Sequence, residues 1–293
     1  MNKRIFIRLA ATALLVLHWS PSLVAAQDLH PFADTSRLVS IGGSLTEIIY
    51  ALGKEDRLVA RDQTASYPPE VRELPDVGYM RQLAPEGVLS VSPSALLVLE
   101  GSGPPEALEV LASAGVEYQS VPESYSAEGV LTKIRAVGQA LGVDDEAASF
   151  AAQVEQQFAD LAAHTDTIET SSRVLFILST EGGKIQASGT GTAADGIIKL
   201  AGAVNAITEY SGYKALTEEA ILAAAPDAIV MMDRGGDHGA SDADLLANPA
   251  IALTPAGQNK AIHRMDGAYL LGFGPRTAQA AAELADRLAS RTH

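Results

Sequence analysis

The chain has 293 residues, a formal net charge of −15 and no cysteine. This acidic balance argues against nucleic acid and anionic membranes as partners, because both require a basic protein surface. The lack of cysteine excludes disulfides, thiolate metal sites, cysteine nucleophiles and lipid attachment to an N-terminal cysteine.

Residues 1–26 have the pattern of a secretory signal peptide. Three basic residues in the first eight positions precede the mostly apolar stretch Leu9–Leu17, and Val24-Ala25-Ala26 offers small residues for cleavage. A retained membrane anchor is the alternative, but this apolar stretch is shorter than the ~20 residues that a spanning helix needs. We therefore predict an exported protein that is cleaved near Ala26 and, in a bacterium, is free in the periplasm.

The first part of the mature chain alternates short apolar runs with helical patterns. Arg37–Ile41 is typical of a strand, and Ser44 with Glu47 three residues later predicts a capping box that opens a helix. The same alternation continues with strands at Leu58–Ala60, Ala95–Leu99 and Glu117–Val121, and with helices at Pro85–Ser90 and Pro105–Ala114. Such alternation predicts a parallel sheet covered by helices.

Two successive helices are predicted in the middle of the chain. Ser126–Leu141 is the first, and Asp144–His164 is the second, a long helix without glycine or proline and with one apolar face. The alternation then restarts, with strands at Arg173–Leu178 and Ala228–Met232 and helices at Thr192–Leu200, Glu218–Ala224 and Thr277–Ala289.

These patterns predict an α/β fold of two Rossmann-like lobes joined by a single long helix. The predicted divisions are an N-terminal lobe at 27–142, an interlobe helix at 143–166 and a C-terminal lobe at 167–293. Because loops at the carboxyl ends of parallel strands usually bind ligands, we expect a ligand cleft between the lobes.

A loop after the second strand carries the most informative pair of side chains. Gly78 and the turn at Pro85-Glu86-Gly87 indicate irregular backbone, which places Tyr79 and Arg81 on a loop. A guanidinium two residues away favours the phenolate form of tyrosine, and phenolate oxygen is an axial ligand of haem iron. From spacing alone, a tyrosine packed beneath the loop with Arg81 in solvent is the alternative.

Several segments resemble the periplasmic haem-binding proteins of bacterial ABC haem importers. The resemblance runs from about Arg37 to Leu288, and its specific part is Gly78-Tyr-Met-Arg81. The other matching segments also occur in the wider class that includes siderophore and cobalamin binders; they are Ser40–Gly53, Glu100–Pro105, Gly191–Gly196 and Leu271–Arg276.

The resemblance implies a haem ligand and the residues that bind it. Tyr79 would be the axial ligand of haem b, carried as cargo, and Arg81 would support the phenolate or a propionate. On the opposite lobe, Arg234 would face the haem, with a solvated loop charge as the alternative. Some relatives place a second axial histidine in the loop that here reads Ser179–Lys184, which has none, so a five-coordinate iron is expected. His238 is the alternative second ligand.

Other side chains are assigned by the same resemblance. Met80, Leu83, Glu100 and Phe273 are candidates to line the cleft, although the apolar ones are equally suited to the core. Glu86 and Glu219 would dock onto arginines of the membrane permease, with a helix N-terminal acid as the alternative reading of each.

The sequence therefore predicts a monomeric haem carrier for an ABC permease, with no catalysis of its own. A ferric-siderophore or corrinoid binder is the alternative. A manganese or zinc carrier is disfavoured because the histidines are scattered. An enzyme is also disfavoured, since the glycine-rich turns form no complete dinucleotide, P-loop or nucleophile-elbow motif.

Overall fold

The computed structural model describes residues 29–168, 171–233 and 240–290. The predicted signal peptide at 1–26, Arg234 and His238 lie outside these described residues, so their assignments stay predictions. Within the described ranges, no helix combines the length and the apolar character that a membrane crossing requires.

The N-terminal lobe is built on a four-stranded parallel sheet with the strand order β2-β1-β3-β4. The strands are β1 (Leu38–Ile41), β2 (Leu58–Arg61), β3 (Ala95–Leu99) and β4 (Glu117–Val121). β1 and β3 are buried along their whole length, as expected for apolar strands covered on both faces by helices. The prediction of a parallel sheet is confirmed for this lobe, and its loops at the carboxyl ends of the strands share one edge.

The described part of this lobe contains four α-helices, namely α1 (Gly43–Ala51), α2 (Pro85–Leu89), α3 (Pro105–Ser113) and α4 (Ala127–Leu141). Proline occupies the first turn of α2 and α3, where its missing N–H costs no helical hydrogen bond. The side chain of Ser126 caps α4 by accepting a hydrogen bond from the Gly129 N–H. Gly142 ends α4 in the left-handed conformation, with φ of 66°.

The predicted capping box at α1 is wrong. The helix begins at Gly43, its N-cap is Gly42, and no side chain caps it. A Cβ on Gly43 would lie 2.4 Å from the Thr64 carbonyl oxygen, so the turn between β1 and α1 requires glycine for close packing. Ser44 and Glu47 are therefore inside the helix, and their side chains are available for contacts with other elements.

The predicted long helix is confirmed as α5 (Asp144–Thr165), with 22 residues. Its buried face includes Val154, Phe158 and Leu161, and it packs against α4. Three acidic residues in its first turn complement the positive end of the helix dipole.

The C-terminal lobe contains a six-stranded sheet with the order β10-β9-β5-β6-β8, and β7 pairs with β5. Its strands are β5 (Arg173–Ser179), β6 (Gln186–Ser188), β7 (Val204–Asn205), β8 (Tyr213–Ala215), β9 (Ala228–Asp233) and β10 (Ile262–Asp266). β6 runs antiparallel to both β5 and β8. The sheet is therefore mixed, and the expected all-parallel arrangement holds only for the part formed by β5, β7, β9 and β10.

Seven helices complete the described part of this lobe. They are α6 (Ala193–Leu200), α7 (Glu218–Ala224), α8 (Asp242–Leu246), α9 (Pro249–Ala252), α10 (Pro255–Gln258), α11 (Gly267–Leu271) and α12 (Thr277–Ala289). α12 packs against α5. The expected two-lobe α/β architecture with a long connecting helix is confirmed, whereas the exact divisions at 142/143 and 166/167 stay predictions.

A continuous apolar core crosses from one lobe to the other. It includes β1 and β3 in the N-terminal lobe together with Phe176, Ile197 and Phe273 in the C-terminal lobe. A second buried cluster lies wholly in the C-terminal lobe, around Leu175 and Ile229. Because close-packed interiors resist deformation, the shared core limits how far the lobes can move apart.

Candidate functional site

A cavity of about 760 Å³ lies between the two lobes. The N-terminal lobe lines it with the start of α1, the loop that carries Tyr79, and the end of β3 at Leu99. The C-terminal lobe contributes the end of β5 at Leu178, the start of α6, and α11. Its volume falls within the usual range for small-molecule and cofactor sites, ~300–1,000 Å³.

Tyr79 lies on the wall of this cavity, and Arg81 contacts it directly. Nη1 of Arg81 donates a hydrogen bond to the Tyr79 hydroxyl oxygen over 3.1 Å. The loop is held by two backbone hydrogen bonds with Gly103, whose N–H donates to the Met80 carbonyl and whose carbonyl accepts from the Leu83 N–H. The tyrosine is half-buried while the arginine is exposed, so a ligand in the cavity can reach both groups.

Of the four residues predicted to line the cleft, the structure places two on the cavity wall and two in the core. Met80 and Glu100 line the cavity, whereas Leu83 and Phe273 are buried in the core and are not among its lining residues. Leu83 and Phe273 therefore have the core position that the sequence left open as the alternative for the apolar candidates. The ring of Phe273 packs edge-on against Tyr125, with 5.3 Å between centroids, and Tyr125 is the aromatic side chain that lines the cavity there.

A buried ion pair that the sequence analysis missed supports the cavity wall. The fully buried Lys133 donates from Nζ to Glu123 Oε1 at 2.7 Å, to Ser44 Oγ at 3.2 Å and to the Phe273 carbonyl at 3.1 Å. Burial raises the pKa of Glu123, and the Lys133 charge opposes this effect. Burial lowers the pKa of Lys133, and Glu123 opposes that effect in turn.

The Lys133 contacts join elements from both lobes, because Phe273 belongs to the C-terminal lobe. A sequence signal for this lysine exists: it lies on the buried face of α4, with Val130 and Val137 three and four residues away. A lysine in an apolar helical stripe needs a buried partner, but the sequence does not identify that partner.

A second connection between the lobes lies at the cavity margin. Arg276 forms a salt bridge with Glu47 of α1, and its guanidinium lies 3.7 Å from the centroid of the Tyr67 ring. All three residues line the cavity. The connection therefore places a cation, a carboxylate and an aromatic ring at the same part of the wall, although the cation and the carboxylate neutralise each other.

The proposed docking acids occupy corresponding positions on the two lobes. Glu86 is exposed in the first turn of α2, and Glu219 is exposed in the first turn of α7. Hydrogen bonds from its own backbone N–H and from Thr217 lower the pKa of Glu219. Each acid thus lies at a helix N-terminus, as the alternative interpretation of these residues expects. Each is also exposed, as docking requires.

The cavity contains no preformed centre for a bare divalent ion. Across the described ranges, the structure brings together no group of three histidine, aspartate, glutamate or cysteine side chains that could hold a metal ion. Its lining offers phenols, the exposed guanidinium of Arg81, apolar surface and three glutamates, two of which are already paired with Arg276 and Lys133. That combination suits a large, partly apolar ligand better than a hydrated cation.

Solved structures of periplasmic haem-binding proteins share this fold. The protein RhuT from Roseiflexus sp. RS-1, in its apo form, matches 89% of this chain and 100% of its own, with 37% identity and a TM-score of 0.84. The protein BhuT, described in complex with two haems, matches 87% of this chain and 98% of its own, with 38% identity and a TM-score of 0.83. These matches confirm the resemblance predicted from the sequence.

Sequence relatives extend the comparison to other ligands. An uncharacterised ABC transporter substrate-binding lipoprotein of Bacillus subtilis is 27% identical over 89% of this chain and 82% of its own. A vitamin B12-binding protein of Pectobacterium atrosepticum is 24% identical over 88% of this chain and 90% of its own. These relatives and the solved structures are binding proteins, and they support a substrate-binding role with an ABC transporter.

The match also holds at the level of the whole family. A model described as "periplasmic binding protein" covers residues 38–269, which includes most of both lobes and most of the residues that line the cavity. The chain therefore belongs to the periplasmic binding protein family.

Proposed function

We propose that this protein captures haem in the periplasm and delivers it to an ABC permease. The observation that carries the proposal is the hydrogen bond of 3.1 Å between Arg81 and the Tyr79 hydroxyl on the wall of the interlobe cavity. Haem-binding proteins that are 37% and 38% identical to this chain over most of its length support the same ligand.

The chemistry of the pair fits ferric porphyrin. A phenol binds iron through its deprotonated oxygen, and an adjacent guanidinium stabilises that anion by charge and by hydrogen bonding. Phenolate is an established axial ligand of haem iron. Tyr79 would coordinate the iron, while Met80 and Tyr125 would offer apolar contact area for the porphyrin. Without a histidine in Ser179–Lys184, we propose a single protein ligand to the iron.

The remaining assignments are part of the same proposal. Arg234 would approach the haem from the C-terminal lobe. Glu86 and Glu219, one on each lobe, would pair with basic groups of the permease, since complementary charges direct the orientation of docking. Removal of residues 1–26 during export would release the monomeric carrier into the periplasm.

A corrinoid or ferric-siderophore ligand is the second candidate. It is favoured by the vitamin B12-binding relative, which aligns over 88% of this chain. Such ligands are large enough to need an interlobe cavity, and arginine and aromatic side chains can hold them without a bond between the protein and the metal. The two candidates therefore differ in whether Tyr79 is essential.

Titration of the purified protein with hemin tests the proposal. Wild type should show a shifted Soret band and a tyrosinate-to-iron charge-transfer band, and Tyr79→Phe should lose that band and raise Kd about a hundredfold or more. Tyr118→Phe is the matched control, because Tyr118 is partly buried on β4 and does not line the cavity. An unchanged spectrum and affinity in Tyr79→Phe would overturn the role of this residue. Binding of cyanocobalamin but not hemin by wild type would favour the second candidate.

A further inference from the structure

A phenol on the C-terminal lobe faces the same cavity as Tyr79. Tyr213 is the first residue of β8 and is paired with Ser188 of β6. Its ring is half-buried, and it is among the residues that line the cavity. The antiparallel β6–β8 pair therefore places Tyr213 at the site. The sequence patterns, which predict parallel strands, do not predict this position.

The environment of Tyr213 differs from that of Tyr79. Burial raises the pKa of Tyr213, while hydrogen bonding from the Thr192 side chain and the Ala194 backbone N–H partly offsets that effect. With its pKa above the ordinary value of about 10 for tyrosine, the side chain is a neutral phenol at neutral pH. A neutral phenol has a hydrogen to donate, whereas a phenolate only accepts.

The start of α6 lines the cavity together with Tyr213. Thr192 is the N-cap of α6, and the backbone N–H of Ala194 belongs to the first turn, where N–H groups lack helical partners. An N–H group can only donate, so a bond from such a group to the Tyr213 oxygen would use an acceptor lone pair and leave the phenolic hydrogen for another partner. The phenolic hydrogen can then point towards an acceptor in the cavity.

The Arg81 guanidinium indicates which acceptor fits this position. Arg81 bonds to Tyr79 and lines the same cavity as Tyr213, although it comes from the other lobe. A carboxylate is the acceptor that best fits between an O–H donor on one side and a guanidinium on the other. Arg81 uses Nη1 for Tyr79 and has further N–H groups for such a ligand.

We propose that Tyr213 donates a hydrogen bond to a carboxylate of the bound ligand, which Arg81 contacts from the opposite lobe. This inference rests on the proposed function, and the carboxylate would be a porphyrin propionate. The ligand would then bridge the lobes through one anionic group. Tyr213 would also select for carboxylate-bearing ligands over those whose peripheral groups are amides or esters.

Paired titrations with hemin and hemin dimethyl ester test this role. Tyr213→Phe should weaken hemin binding about ten- to a hundredfold, the range for one hydrogen bond to a charged group, and leave the iron spectrum unchanged. The ester lacks free carboxylates, so wild type and Tyr213→Phe should bind it equally. Tyr210→Phe is the control, because that hydroxyl donates to the Ala187 carbonyl and the residue does not line the cavity.

The outcomes separate this inference from the proposed function. If wild type binds hemin through Tyr79 but Tyr213→Phe binds hemin as tightly as wild type, or loses as much affinity for the ester as for hemin, the carboxylate contact is wrong. If Tyr213→Phe changes the iron spectrum, Tyr213 contacts the metal and the inference also fails. If wild type binds no hemin, the proposed function itself is wrong. Thermal denaturation of each variant checks that a lost affinity does not reflect unfolding.

Discussion

The guanidinium of Arg276, in the C-terminal lobe, forms a forked salt bridge with Glu47 of the N-terminal lobe. Nε lies 3.0 Å from Oε1 and Nη2 lies 2.8 Å from Oε2. The side chains are only 22% and 11% exposed, so solvent screens the pair less than it screens a surface pair. Together with the Lys133 contact to Phe273, this bridge ties the lobes at the margin of the cavity.

Glu47→Gln should destabilise the folded protein by about 1–3 kcal/mol, because Arg276 loses its charged partner in a largely buried setting. The free energy of unfolding in urea measures this change. Glu128→Gln is a matched control, since Glu128 pairs with Arg135 but both side chains are mostly exposed. That control should change the free energy by less than about 0.5 kcal/mol. Equal effects of the two substitutions would show that the interlobe bridge contributes no more than a surface pair.

Lys133→Met should be more destabilising and its effect should depend on pH. The substitution leaves Glu123 buried without its cation, which costs about 3–5 kcal/mol near pH 7. Burial already raises the pKa of Glu123, and loss of Lys133 removes the main opposing influence. A carboxyl group with a raised pKa in the folded state stabilises that state at low pH, and this stability is lost as pH rises through the folded-state value.

The difference between Lys133→Met and wild type should therefore shrink as pH falls from 8 towards 5. Urea unfolding at a series of pH values measures it. The double substitution Lys133→Met with Glu123→Gln removes the buried charge altogether, so it should recover part of the stability near pH 7, and its own free energy of unfolding should lack the pH dependence that Glu123 gives the single variant. If the loss of unfolding free energy in Lys133→Met stays constant with pH, ionised Glu123 is not the cause of that loss.

The sequence predicts the elements of this fold where local signals are strong. Glu218–Ala224 and Thr277–Ala289 match the predicted helices residue for residue, because clear helical patterns and flanking caps or breakers define them. β6 and β8 have three residues each, too few for a periodicity, and their antiparallel pairing depends on contacts with β5. The short helices between Asp242 and Gln258 were missed for the same reason.

At the site, too, contacts between residues close in sequence are easier to predict than contacts between distant residues. Tyr79 and Arg81 are two residues apart, so the sequence suggests a contact between them as one of two readings, and the structure shows a hydrogen bond. Glu47 and Arg276 are separated by 229 positions, and the local pattern around Glu47 indicated a helix cap instead. Lys133 likewise meets Phe273 across 140 positions. Only the packing of the two lobes brings such pairs together.

Arg81→Gln should weaken hemin binding about ten- to a hundredfold, because the phenolate oxygen of Tyr79 loses a charge-assisted hydrogen bond. Its charge-transfer band should persist with an altered position, since the iron keeps its ligand. Gln82→Ala is the neighbouring control, because that exposed side chain does not line the cavity. Hemin titration with absorption spectroscopy measures both effects. Wild-type affinity in Arg81→Gln would exclude a supporting role for the guanidinium.

Charge reversal at the docking acids should impair delivery but not capture. We expect the double variant Glu86→Lys with Glu219→Lys to bind hemin like wild type, because both side chains are exposed and lie outside the cavity lining. Uptake through the cognate ABC permease should fall about tenfold or more, since juxtaposed like charges cost several kcal/mol at an interface. Because salt screens the repulsion between like charges, added salt should raise the residual uptake of the double variant.

Glu106→Lys provides the control for this experiment. Glu106 is likewise exposed in the first turn of a helix of the N-terminal lobe, α3, so its reversal has the same unfavourable interaction with a helix dipole. Transport assays in proteoliposomes with hemin-loaded protein compare the variants at fixed ionic strength. If Glu106→Lys lowers uptake as much as Glu86→Lys does, a general effect of surface charge explains the loss. If the double variant transports normally, Glu86 and Glu219 do not dock the carrier, and their position reflects only the stabilisation of a helix N-terminus.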